Sequence, residues 1–101
     1  MNMPLHTPAI PDHYPAIVEA GDSGLMVLFG DTLEMSVNNA VHAFDAMFRS
    51  VSLAGVEEIT PGIRGLMIRY DPLSISADAL RDAINEKLTE RNWLESPANP
   101  E

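Results

Sequence analysis

Residues 56–72, VEEITPGIRGLMIRYDP, decide the fold. Two runs rich in β-branched and large apolar residues, Val56 to Thr60 and Gly65 to Tyr70, flank a Pro61-Gly62 turn, and Asp71-Pro72 stops the second run. This pattern predicts a β-hairpin. Side chains alternate along a strand, so Leu66, Ile68 and Tyr70 share one face while Met67, Arg69 and Asp71 share the other. One face is apolar and the other mixed. The same alternation places the adjacent carboxylates Glu57 and Glu58 on opposite faces, which excludes them as a catalytic pair.

A second stretch repeats the design. Ala16 to Ala20 and Gly24 to Phe29 flank the turn Gly21-Asp22-Ser23, and Gly30-Asp31 closes the unit. Leu25, Val27 and Phe29 share a face, but Met26 and Leu28 on the opposite one are apolar too. Gly21, Gly24 and Gly30 lack the spacing of a phosphate loop or a dinucleotide fingerprint, and read as turn residues that allow positive φ.

Each hairpin is followed by a helical pattern. Within residues 35–54, Val37, Ala40, Val41, Phe44, Phe48 and Val51 recur at three- and four-residue steps, and Gly55 reads as the C-terminal cap. His42 and Asp45 lie three apart on this helix, the spacing of a base and its orienting group. With no nucleophile placed beside them, a solvated helix face is the better reading. Further on, Ser76 reads as an N-cap with Asp78 in the first turn, and Leu80, Ile84 and Leu88 mark the buried stripe beside Ala77 and Ala83. Trp93 and Leu94 are expected to fold back onto the domain. The order of elements predicts an α+β, two-layer fold: β-β-α-β-β-α, a four-stranded antiparallel sheet with two helices on one face.

The ends read differently. Residues 1–15 carry Pro4, Pro8, Pro11 and Pro15, which predict a flexible, extended tail, and 95–101 read as a linker or truncated end. His6 and His13 lie in the tail without further ligands at a fixed spacing, so no metal site is expected there.

Composition narrows the function. A chain of 101 residues is one domain, near the size at which a core buries only about 60–65% of the unfolded surface, so a deep enclosed active site is hard to fit. The formal charge of −9, from 15 acidic and 6 basic residues, argues against nucleic acid and anionic membrane surfaces as partners. The absence of Cys removes disulfides, thiolate metal sites and a cysteine nucleophile. There is no 18-residue apolar run, and the first residues have neither a basic nor an apolar leader pattern. A cytoplasmic protein is the expectation.

The segments GDSGLMVLFGD (Gly21 to Asp31) and GVEEITPGIRGLMIRYDP (Gly55 to Pro72), with Asn38 and Val41 between them, resemble the N-terminal domain of the KipI/PxpB family. That family takes in the sporulation-kinase inhibitor KipI, the PxpB component of bacterial 5-oxoprolinase, and proteins called allophanate hydrolase subunit one. Gly21, Asp22, Asn38, Pro61, Asp71 and Pro72 match its motif, although turn chemistry and capping account for most of them. The resemblance covers residues 16–94 and implies a DCoH-like fold. It also implies that a strand of VEIPV type and a cyclophilin-like domain would follow, where this chain ends at Glu101. Companion amidohydrolase subunits, ATP in the full complex and a histidine kinase are further implied partners, while a homodimer is an expectation from the open sheet face alone. No catalytic residue carries over.

The expected function is therefore that of an interaction or scaffold domain in a multi-subunit amidohydrolase, or of a histidine-kinase inhibitor. Its partner surface is expected on the uncovered sheet face, at Met26, Leu28, Met67 and Arg69, because clustered apolar groups on an open sheet suit docking and Met adapts to varied partners. No cofactor or metal is expected within the domain. The alternatives are a stand-alone amidase and an unrelated dimerisation module of the same fold. Against the amidase stand the lack of a phosphate loop, of a metal-ligand cluster and of a nucleophile with its base.

Overall fold

The computed structural model describes residues 14–95. The proline-rich stretch 1–13, with His6 and His13, and the closing residues 96–101 lie outside them. Within the described residues the chain runs β1 (Ala16–Glu19), β2 (Gly24–Leu28), α1 (Met35–Val51), β3 (Val56–Pro61), β4 (Gly65–Tyr70), α2 (Ala77–Leu88) and a 3-10 turn, Trp93–Glu95. The four strands form one antiparallel sheet in the order β1-β2-β4-β3. The two hairpins thus meet through their second strands, and β1 and β3 are the edges.

Register decides which side chains share a face. Leu25 lies opposite Ile68 and Val27 opposite Leu66, with Ile17 beside Val27 and Ile59 beside Ile68. This face meets both helices. Leu25, Val27, Phe29, Leu66 and Ile68 are wholly buried there with Phe44, Leu80 and Ile84. Phe44 is the hub: its ring lies 5.5 Å from Phe29, 5.7 Å from Phe48 and 5.0 Å from Trp93, edge-on in the last case. Such tilted and offset aromatic pairs each contribute about 0.5–1.5 kcal/mol beyond burial. Trp93 folds back as expected, donating its ring N–H to the Lys87 carbonyl at 3.1 Å with Arg91 stacked 3.9 Å above it.

Local chemistry sets the ends of the elements. The Ser76 hydroxyl accepts the Ala79 N–H at 3.0 Å and opens α2, with Asp78 in its first turn. At the end of α1 the sequence reading needs correction. The helix stops at Val51, and the left-handed position after it is taken by Ser52 (φ 52°), three residues before Gly55. Val51 is accordingly exposed rather than part of the core. Among the turn glycines only Gly21 has the expected positive φ, +80°. Gly30 is needed for a different reason, since a Cβ there would stand 2.6 Å from Val37 on α1.

A second correction concerns Glu57 and Glu58. Val56 lies opposite Tyr70 and Glu58 opposite Arg69, so Glu57 is an extra residue, a β-bulge. The bulge breaks the alternation that the sequence reading assumed, and both carboxylates reach Arg69: Glu58 at 2.9 Å and Glu57 at 3.7 Å.

Candidate functional site

The face of the sheet away from the helices is the candidate site. Its residues form rows across the strands. Val18, Met26, Met67 and Thr60 make the central row; Ala16, Leu28 and Gly65 lie towards one end, and Gly24, Arg69 and Glu58 towards the other. Met26, Leu28 and Met67, predicted for this face by strand parity, all lie on it and none belongs to the core cluster.

Two glycines shape the surface. A Cβ on Gly65 would stand 2.9 Å from a Leu28 methyl, and one on Gly24 would stand 3.4 Å from the Met67 sulfur. Missing side chains at these points let Leu28 and Met67 lie down across the neighbouring strand. They are half-buried in consequence, as are Val18 and Met26. The result is a shallow apolar floor rather than a cavity. Natural antiparallel sheets with one solvated face usually place polar residues there, so four apolar side chains in adjacent rows single this face out as the candidate docking surface.

Arg69 forms the rim. Its guanidinium bridges Glu57 and Glu58, and the Thr60 hydroxyl donates to Glu58 at 3.5 Å. All three charged side chains are about half exposed, so the pairs add little stability, about 0–1 kcal/mol each. Two carboxylates against one guanidinium leave this rim with one net negative charge. The alternation rule missed the cluster, and no glycine or proline in Val56-Glu57-Glu58 signals the bulge that makes it.

The family-motif residues are spread over both ends of the sheet and do not converge on one site. Gly21 and Asp22 form the β1–β2 turn. Asn38 donates its side-chain N–H to the Ile63 carbonyl at 3.2 Å, tying α1 to the turn that follows Pro61. Asp71 accepts the Leu73 N–H at 3.0 Å and the Ser74 hydroxyl at 3.1 Å, and Pro72 stands exposed in the same turn. These are architectural roles. On α1, Asp45 turns to Arg49, whose Nε donates to it at 2.7 Å, and His42 faces solvent.

A cleft of about 390 Å³ opens between the end of α1 and β3, lined by Phe48, Arg49, Leu53, Val56, Glu57 and Ile59 among others. Its volume falls in the range of small-molecule sites. Its Ser52 is committed as the helix cap, its N–H bonded to Arg49. Among the described residues no group of three or more His, Cys, Asp or Glu side chains is placed to hold a metal ion, and no helix is long and apolar enough to cross a membrane.

A family model described as carboxyltransferase domain, subdomain C and D, matches residues 15–100. The chain belongs to this family. Three solved structures are similar to this KipI/PxpB-like domain. A conserved uncharacterized protein from Pyrococcus horikoshii is 28% identical, with a TM-score of 0.67 over 70% of this chain and 33% of its own. The N-terminal domain of the histidine kinase inhibitor KipI from Bacillus subtilis is 26% identical, with a TM-score of 0.63 over 74% of this chain and 84% of its own. The Kluyveromyces lactis urea carboxylase shares the fold at 21% identity, with a TM-score of 0.68 over 83% of this chain and 8% of that one. The KipI/PxpB-like domain thus spans about a third of the archaeal protein and a small fraction of the yeast enzyme. Among curated proteins, none matches its sequence.

Proposed function

We propose that this domain is the N-terminal interaction module of a PxpB-type component of a 5-oxoprolinase, and that it docks a companion cyclophilin-like domain of a multi-subunit amidohydrolase through the open face of its sheet. The observation that carries the reading is the apolar floor of Val18, Met26, Leu28 and Met67, which the domain's own core does not use. The occupant is argued from length. The domain corresponds to a third of the archaeal relative, so most of such a protein lies outside the region it shares with this fold and is available to cover the floor. The acidic rim at Glu57 and Glu58 favours a basic group on the partner beside Arg69.

In this role the domain supplies no chemistry of its own. ATP and the amide substrate are handled by the assembled complex, in a cytoplasmic setting. The isolated chain is expected to show no turnover of 5-oxoproline with ATP, because it encodes neither a phosphate cradle nor an activated nucleophile. Docking is tested by mixing the purified chain with a cyclophilin-like companion domain and following sedimentation. Leu28→Glu should abolish the complex while circular dichroism stays native, since the interface would lose apolar area and gain a desolvated charge. A folded variant that still binds would refute the assignment of this face.

A second reading has one specific observation behind it, the match over most of the KipI N-terminal domain. Under it the same floor meets a histidine kinase. Pull-down of a kinase dimerisation domain, sensitive to Leu28→Glu, separates the two.

A further inference from the structure

The edges of the sheet carry a matched pair of contacts. On β3, the Arg49 guanidinium from α1 donates to the Ile59 carbonyl at 2.6 Å and is anchored by Asp45 at 2.7 Å. On β1, the Arg81 guanidinium from α2 donates to the Ile17 carbonyl at 3.2 Å and lies 3.9 Å from Glu19. A helix arginine reaches these carbonyls because they point away from the sheet. In an antiparallel strand the residues whose main-chain groups face outward alternate with those bonded to the neighbour. Ile59 and Ile17 are therefore the positions at which an incoming strand would pair.

Proline adds to the effect. Pro61, two residues after Ile59, occupies the next outward position and offers no N–H, and Pro15 stands immediately before β1. The bulge at Glu57 distorts the other side of Ile59. Bulges and prolines are common ways to blunt an exposed edge. Here each edge also has its outward carbonyl occupied by a charged donor that an incoming strand would have to displace.

We infer that Arg49 and Arg81 are edge caps that close the sheet to strand addition, and that β3, once uncapped, pairs antiparallel with β3 of a second copy of this chain. β3 is the edge of choice because it has six residues against four in β1. A two-fold pairing centred on Ile59 sets Glu57 opposite Pro61 and Glu58 opposite Thr60, so that no like charges meet across the new ladder. The capped sheet leaves the open face as the route to association, and the inference stands independently of what that face binds.

The experiment is sedimentation of the purified chain and its variants, with circular dichroism as the check on folding. The unaltered chain is expected to show no association through β3. Arg49→Met is expected to move it to a dimer that persists in the double variant with Leu28→Glu and is lost with Ile59→Pro, which removes an outward N–H and no ladder bond within the monomer. Asp45→Ala, which leaves Arg49 in place but unanchored, reads the same cap by a milder change. Folded Arg49→Met and Asp45→Ala proteins that both stay monomeric at high concentration would overturn the inference. So would a dimer that Leu28→Glu abolishes and Ile59→Pro spares, because that dimer would belong to the open face.

Discussion

Leu25 and Val27 of β2 are wholly buried, whereas Met26 and Leu28, their immediate neighbours, lie half-buried on the far side of the same strand. All four are apolar, and the two pairs differ only in what covers them: helices α1 and α2 in one case, nothing within the described domain in the other. The covered face explains why the chain folds. Its aromatic hub and aliphatic rows make up the core cluster, to which Val18, Met26, Leu28 and Met67 do not belong. Under the docking role proposed above, the apolar second face is the surface that meets the partner.

The largest effect that can break this comparison is a charge on the covered face. Val27→Glu places an unpaired carboxylate among Leu66, Ile17 and the helices, where the effective penalty is on the order of several kcal/mol. Against a total stability of about 5–15 kcal/mol, the variant is expected to lose its native circular dichroism at room temperature. A folded Val27→Glu would mean that the two faces are misassigned. Next in size is Phe44→Ala, which removes the hub of three aromatic contacts and is expected to cost about 3–5 kcal/mol in urea unfolding. A change below about 1 kcal/mol would show that the neighbouring rings close over the gap or that Phe44 is not central.

Much of this contrast was legible in the sequence because both periods are strong. Alternation in GLMVLFG and GLMIRY assigns every core-facing residue of β2 and β4, and the three- and four-residue steps of α1 mark Val37, Ala40, Val41, Phe44 and Phe48 correctly. The readings fail where local geometry departs from a period. Ser52 takes the left-handed cap that Gly55 was expected to fill, because a helix can end on any residue whose strain the surrounding contacts repay. Meanwhile Gly55 keeps its own positive φ and leaves room for Ile75. The Glu57 bulge defeats parity for the same reason. The arginine caps were out of reach altogether, since Arg49 and Ile59, and Arg81 and Ile17, meet only through the tertiary fold.

A smaller effect tests whether the helices of the covered layer are held as described. Ser76→Ala removes the hydroxyl that accepts the Ala79 N–H and is expected to cost about 1 kcal/mol, read as a shift of the urea midpoint with unchanged slope. Ser76→Gly should recover most of the loss, because glycine is a tolerated N-cap. If both variants match the unaltered chain, the start of α2 is held by packing alone.

The smallest expected effect on stability is the most informative. Leu28 and Val27 are adjacent, so Leu28→Glu puts the same charge one residue along the same strand, but onto the open floor beside Gly65, where the carboxylate can turn to water. Partial burial of Leu28 against Gly65 is lost, which amounts to a fraction of the about 1.5–3 kcal/mol that full burial of a leucine contributes. A Val27→Glu protein that unfolds beside a Leu28→Glu protein that melts within a few degrees of the unaltered chain establishes the two faces in a single pair of measurements. If Leu28→Glu also unfolds, the floor is part of the core and some segment of this chain must cover it. If instead Leu28→Glu leaves stability and association both untouched, the apolar rows are ordinary surface, and the domain must meet its partners elsewhere.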